Sequence, residues 1–147
     1  MMHSKIYSYI LVIIQFPCIV SLVLLSPSLV NNFWALGFVA LGFCFGFYTI
    51  FPNRSQNFNI IPDIKEGATL IRKGAYAYVR HPMYFSVLII MSGMLIEGLS
   101  ALKISIFLVM VSVLVLKAKK EEYLWIKQST EYLDYMKKTK MIVPFIF

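Results

Sequence analysis

The chain has 147 residues, of which 59% are hydrophobic and 14% charged, and its mean hydropathy is +0.74. Soluble domains carry about 25% charged residues, and a domain this short keeps too much of its area in water to hide so much apolar surface. Disordered and ordinary soluble classes are therefore excluded, lipid is the expected solvent, and the length leaves room for one domain over 1–147. The net charge of +7, from 14 Lys and Arg against 7 Asp and Glu, makes the placement of the cations the next question.

A bilayer core of ~30 Å takes about 20 mostly apolar residues as a helix, because every backbone polar group in it must be satisfied without water. Residues 6–25 carry no charge, with only Gln15 and Pro17 interrupting the run. A secretory signal is the weaker reading of this segment: the run is longer than a signal core and no small-x-small cleavage pattern follows it. Residues 33–51 are also uncharged. The third apolar region, Pro82 to Leu116, would be ~52 Å long as one helix. Glu97, Gly98 and Ser100 break it, which predicts two spans, 82–97 and 101–116, joined by a tight turn from which Lys103 snorkels outward. The expected fold is all-α and polytopic, with four transmembrane helices.

Four spans place both termini and the loop between the second and third spans on one side. Thirteen of the fourteen cations then share that side: Lys5, Arg54, Lys65, Arg72, Lys73, Arg80, Lys117, Lys119, Lys120, Lys127, Lys137, Lys138 and Lys140, with Lys103 alone opposite. That asymmetry predicts cytoplasmic termini. Topology and attraction to anionic headgroups account for the positive charge, so no nucleic-acid partner is expected. Cys18 and Cys44 fall inside predicted spans, and with His3 and His81 they lack the spacing of a disulfide framework or a metal site.

The loop before the third span ends in Arg72-Lys73-Gly74-Ala75-Tyr76-Ala77-Tyr78-Val79-Arg80-His81-Pro82-Met83-Tyr84. Pro82 suits the first turn of a helix and disfavours helical geometry at His81, which puts Arg80 and His81 at the positive end of a helix dipole, an anion-binding corner. Taken singly, these residues also fit membrane-interface anchors beside an aromatic belt of Tyr76, Tyr78 and Tyr84. After the fourth span come Glu121 and Glu122 on a continuing helix, then Tyr132-x-x-Tyr135 and Pro144. The acids read either as a solvated run offsetting neighbouring lysines or as one carboxylate facing Arg80 and His81, a bipolar site for a zwitterion.

The run Gly74 to Tyr84, a helical hairpin, the acidic pair, Tyr132-x-x-Tyr135 and Pro144 together resemble the isoprenylcysteine carboxyl methyltransferase and phospholipid methyltransferase group of integral membrane enzymes, over roughly residues 68–144. The resemblance implies S-adenosylmethionine as cofactor, bound by Tyr76, Tyr78, Arg80, His81, Tyr84, Glu121, Glu122, Tyr132 and Tyr135, with Arg80 and Glu121 at the reacting end. It also implies a lipophilic or lipidated methyl acceptor reaching the site from the membrane lipids. Ala75, Ser86, Ser129 and Met141 stand where the family commonly has Pro, Gly, Gly and Arg. The acidic pair fits in two registers, Lys120-Glu121 or Glu121-Glu122. Two other readings stand beside this one. Membrane sterol reductases, which use NADPH, look similar in this half of the chain, and an inactive scaffold of the same fold is compatible with the departures.

Overall fold

The computed structural model describes the backbone of residues 2–57 and 59–147, and the side chains of 5–50 and 59–147. Arg54, counted above among the cytoplasmic cations, lies outside the described side chains. Five α-helices follow one another: α1 Met2–Leu24, α2 Phe33–Asn57, α3 Pro82–Glu97, α4 Ala101–Gln128 and α5 Glu131–Lys138. Short 3-10 turns occupy Leu29–Asn31 and Gly74–Ala77.

Local chemistry sets these boundaries. Asn32 accepts the Ala35 N–H at 3.1 Å and starts α2, and Ser100 accepts the Lys103 N–H at 3.2 Å and starts α4. Both are N-caps that satisfy an orphan donor of a first turn. Pro82 is the first residue of α3, after His81 at the N-cap, as Pro82's fixed φ and missing N–H lead one to expect. The helix break at Gly98–Ser100 also falls where the sequence puts it, whereas α2 runs on to Asn57, past the expected end at 51.

Among the described residues, three helices are long and apolar enough to cross a membrane: Lys5–Leu24, Phe33–Ile50 and Ala101–Gln128. Of the four expected spans, 82–97 is not supported as one. α3 has 16 residues, about 24 Å of helix, because His81-Pro82 starts it late and the Glu97–Ser100 turn stops it early.

Packing divides the bundle into two pairs, α2 with α3 and α1 with α4. In the first pair the backbones nearly touch. A Cβ on Gly42 would lie 2.5 Å from Ile90 Cγ1, and one on Gly93 would lie 2.8 Å from the Ala35 carbonyl oxygen, so both positions need glycine for the helices to approach this closely. The pairs meet through Leu22, Met91, Met94, Met110 and Leu114. On α1 the inward stripe is Ser8, Leu11, Gln15 and Leu22, while Ile6, Tyr9, Ile13, Phe16 and Val20 stay exposed. An outward apolar face of that extent suits a helix whose solvent is lipid.

The turns α1–α2 and α3–α4 meet at one end. Ser26 Oγ donates to the Met94 carbonyl at 3.3 Å, Asn32 Nδ2 to the Ile96 carbonyl at 3.3 Å, and the Ser28 N–H to Glu97 Oε1 at 3.1 Å. The first two satisfy carbonyls that α3 leaves open at its C-terminus, and the third holds the Glu97 carboxylate. Lys103 does not snorkel outward: it is only 4% exposed, donates to the Met94 carbonyl at 3.1 Å and pairs with Glu97. The negative end of α3 and the Glu97 carboxylate supply the acceptors that turn the ammonium inward.

Candidate functional site

At the other end of the bundle, the start of α3, the C-terminal third of α4, α5 and the segments 59–81 and 139–142 converge. A parallel bridge, Val79 with Lys140, holds the approach to α3. The Lys140 N–H donates to the Tyr78 carbonyl at 3.0 Å, the Arg80 N–H to the Lys140 carbonyl at 2.9 Å and the His81 N–H to the Met141 carbonyl at 2.9 Å. Arg80 and His81 are thus fixed through their backbone before their side chains do anything.

The Arg80 guanidinium is buried against protein acceptors. Its Nε donates to Glu122 Oε1 at 2.5 Å, and its Nη1 to the Thr139 carbonyl at 2.5 Å and the Met136 carbonyl at 3.3 Å. Glu121 and Glu122 are neighbours on a helix, so their side chains point about 100° apart. Glu122 turns inward to Arg80, with 7% of its side chain exposed, while Glu121 turns towards an open cleft, with 22% exposed. Lys120, the alternative first acid position, pairs instead with Asp63 at 2.8 Å.

His81 lies between the two acids, with Nδ1 at 3.4 Å from Glu121 Oε2 and Nε2 at 3.4 Å from Glu122 Oε1. Its Nε2 is buried without a well-aligned hydrogen bond. Burial pulls its pKa down, but attraction to Glu121 and Glu122 outweighs burial and raises it above the ordinary value. The ring stacks on Tyr84 at 5.4 Å and 6°, and Tyr84 donates its hydroxyl to Glu121. Glu121 is therefore held from two sides while still facing the cleft.

The cleft is open, and its roughly 840 Å³ of empty space includes the mouth and adjoining solvent. Arg80, His81, Tyr84 and Glu121 form its polar floor, and Tyr76, Trp125, Tyr132 and Tyr135 its aromatic wall. Trp125 and Tyr132 stack at 6.0 Å and 13°, and the Tyr135 hydroxyl donates to the Tyr76 carbonyl at 2.5 Å. Burial keeps the Tyr76, Tyr132 and Tyr135 phenols above their ordinary pKa, neutral at physiological pH.

Of the nine residues singled out in the sequence, seven line the cleft: Tyr76, Arg80, His81, Tyr84, Glu121, Tyr132 and Tyr135. Glu122 stands behind it as the partner of Arg80. Tyr78 lies outside, 60% exposed against Phe145 at 6.1 Å. Sequence reasoning missed the remaining wall, Asn59, Asp63, Ile64, Leu70 and Ile71 from the loop, and the Thr139 carbonyl on Arg80. Neither has a motif. It also missed Lys117, buried on α4; Gln15 inside an apolar run was the one signal of a buried partner.

Comparison with curated proteins gives no match. A family profile does match, over residues 35–127, from the start of α2 to the end of α4. The matched stretch takes in Arg80, His81, Tyr84, Glu121 and Glu122 and stops short of Tyr132 and Tyr135. It covers well over half of the chain, so the cleft just described sits in a member of the isoprenylcysteine carboxyl methyltransferase family.

Proposed function

We propose that the protein transfers a methyl group from S-adenosylmethionine to the carboxylate of a lipophilic acceptor, with an isoprenylcysteine as the acceptor class. Membership of a methyltransferase family is the starting point. The observation that carries the reading further is Glu121, the one carboxylate of the acidic pair that opens onto the cleft, facing an aromatic wall.

The residues present fit the cofactor. Glu121 is an acceptor for its ammonium, and the Trp125 and Tyr132 pair supplies flat faces for its adenine. Tyr76 offers an electron-rich ring to a sulfonium. The Arg80 bonds to protein fall on Nε and Nη1, so Nη2 is the donor open to a carboxylate, of cofactor or acceptor. When bound, S-adenosylmethionine supplies an electrophilic methyl group on sulfur.

The cleft favours an acceptor that needs no base. Its phenols are held neutral by burial, His81 is held towards its protonated form by two acids, and Glu121 is occupied by Tyr84 and His81. A carboxylate is already a nucleophile, whereas an amine or alcohol must first lose a proton. What the chain contributes is orientation and exclusion of water. The site end of the bundle faces the cytoplasm in this reading, because the cations concentrate there, and the acceptor reaches it from the lipid phase.

The test is transfer of labelled methyl from S-adenosylmethionine into a farnesylcysteine thioether, and into a lipid extract, by the purified protein. Label in the ester of the farnesyl compound is expected. Label only in lipid amines would overturn the carboxylate reading, and selective binding of NADPH would overturn methyl transfer.

A further inference from the structure

The cleft-lining loop has no regular structure between residues 59 and 73, yet its first part is tied down at buried positions. Lys117 is 2% exposed, and its Nζ donates to the Ile60 carbonyl at 2.9 Å and to Gln15 Oε1 at 2.6 Å. One turn further on, Lys120 donates to Asp63 Oδ1 at 2.8 Å and to Ser8 Oγ, and Ser8 itself reaches Asp63 at 3.2 Å. Lys117 and Lys120 are three residues apart and so lie on one face of α4. Ser8 and Gln15 are seven apart on the inward stripe of α1. Two rungs, each made of one lysine, one α1 side chain and one loop acceptor, therefore join α1, α4 and the loop.

We propose that this ladder makes Lys117, Lys120, Ser8 and Gln15 positioning residues for the cofactor cleft. It sets the loop wall at Asn59, Asp63 and Ile64 against Glu121, which leaves α4 within the same turn as Lys120. The cost of burying two ammonium groups supports a specific role, since apolar residues would pack the α1–α4 seam at less expense. Lys117 Nζ also stands 5.3 Å from the Tyr84 ring centroid, so the upper rung touches the residue that orients Glu121. α1 lies outside the matched stretch 35–127. The ladder thus gives a helix beyond the family's shared part a share in building the site.

This inference rests on the cofactor reading above, and its test separates the two. Lys120→Met, Lys120→Arg and Gln15→Leu are purified beside the parental protein. Amide hydrogen exchange is measured without ligand, and the dissociation constant of S-adenosylmethionine by calorimetry. Lys120→Met and Gln15→Leu are expected to raise exchange across 59–71 about tenfold with α2 and α3 unchanged, and to weaken cofactor binding about tenfold. Lys120→Arg is expected to restore both. Exchange unchanged in 59–71, or raised with cofactor affinity intact, overturns the positioning role alone. A parental protein that does not bind S-adenosylmethionine overturns the cofactor reading and the positioning role with it.

Discussion

The two ends of the bundle each hold a buried ion pair, and they use it differently. At the turn end, Lys103 and Glu97 close on each other and on backbone groups of their own hairpin and the neighbouring turn. At the cleft end, Arg80 and Glu122 also close on each other, but His81 extends the pair to a second acid, Glu121, which opens onto a cavity. A charge pair whose partners are all protein holds a fold together. One that hands a charge on to an open carboxylate holds a fold and presents chemistry.

The contrast breaks hardest at Arg80. Arg80→Met leaves Glu122 buried without its partner and is expected to cost ~3–5 kcal/mol of stability, read as a large fall in thermal midpoint together with loss of methyl transfer. Glu121→Gln comes next, with the opposite profile. On the proposed reading it removes a charge-assisted contact to the cofactor, and S-adenosylmethionine affinity is expected to fall roughly 10- to 100-fold, ~1.5–3 kcal/mol, while the thermal midpoint stays near the parental value. A midpoint that collapsed instead would make Glu121 a fold residue like Glu122. Lys103→Met should lower the midpoint less than Arg80→Met, with cofactor affinity of the folded fraction within about twofold of parental because the sites are distant. An affinity loss there would show that the two ends are not independent.

The smallest effect concerns pH. His81 has its pKa raised in the folded protein, so its protonated form favours the fold. That contribution is fully present below the unfolded value of about 6.5 and is lost as pH rises through the raised folded value. The parental midpoint should therefore fall on the alkaline side of neutrality, and His81→Asn should flatten that part of the profile. An unchanged slope would remove His81 from the charge chain.

The fold was legible where lipid and backbone chemistry act locally. The apolar runs, the Gly98–Ser100 break and the Pro82 start of α3 are each set by neighbours in sequence. The cleft floor was legible because Arg80, His81 and Glu121 carry a family pattern. What stayed hidden depends on contacts that no local pattern names: the turn of Lys103 back towards Glu97 and the Met94 carbonyl, the pairing of Gln15 with Lys117, and the Thr139 carbonyl on Arg80. A glutamine in an apolar helix announces a partner without naming it, since its partner stands 102 positions away.

The division into two helix pairs has a mechanical consequence. α3 brings Tyr84 and His81 from one pair, and α4 brings Glu121 and Glu122 from the other, so the site is split along the seam. Within the α2–α3 pair, glycine contacts leave no slack for sliding. Between the pairs, three of the five residues at the seam are methionines, whose unbranched side chains adapt to small displacements. The contacts of Tyr84 and His81 with Glu121 cross that seam, so a displacement of one pair against the other reaches the cleft carboxylate directly.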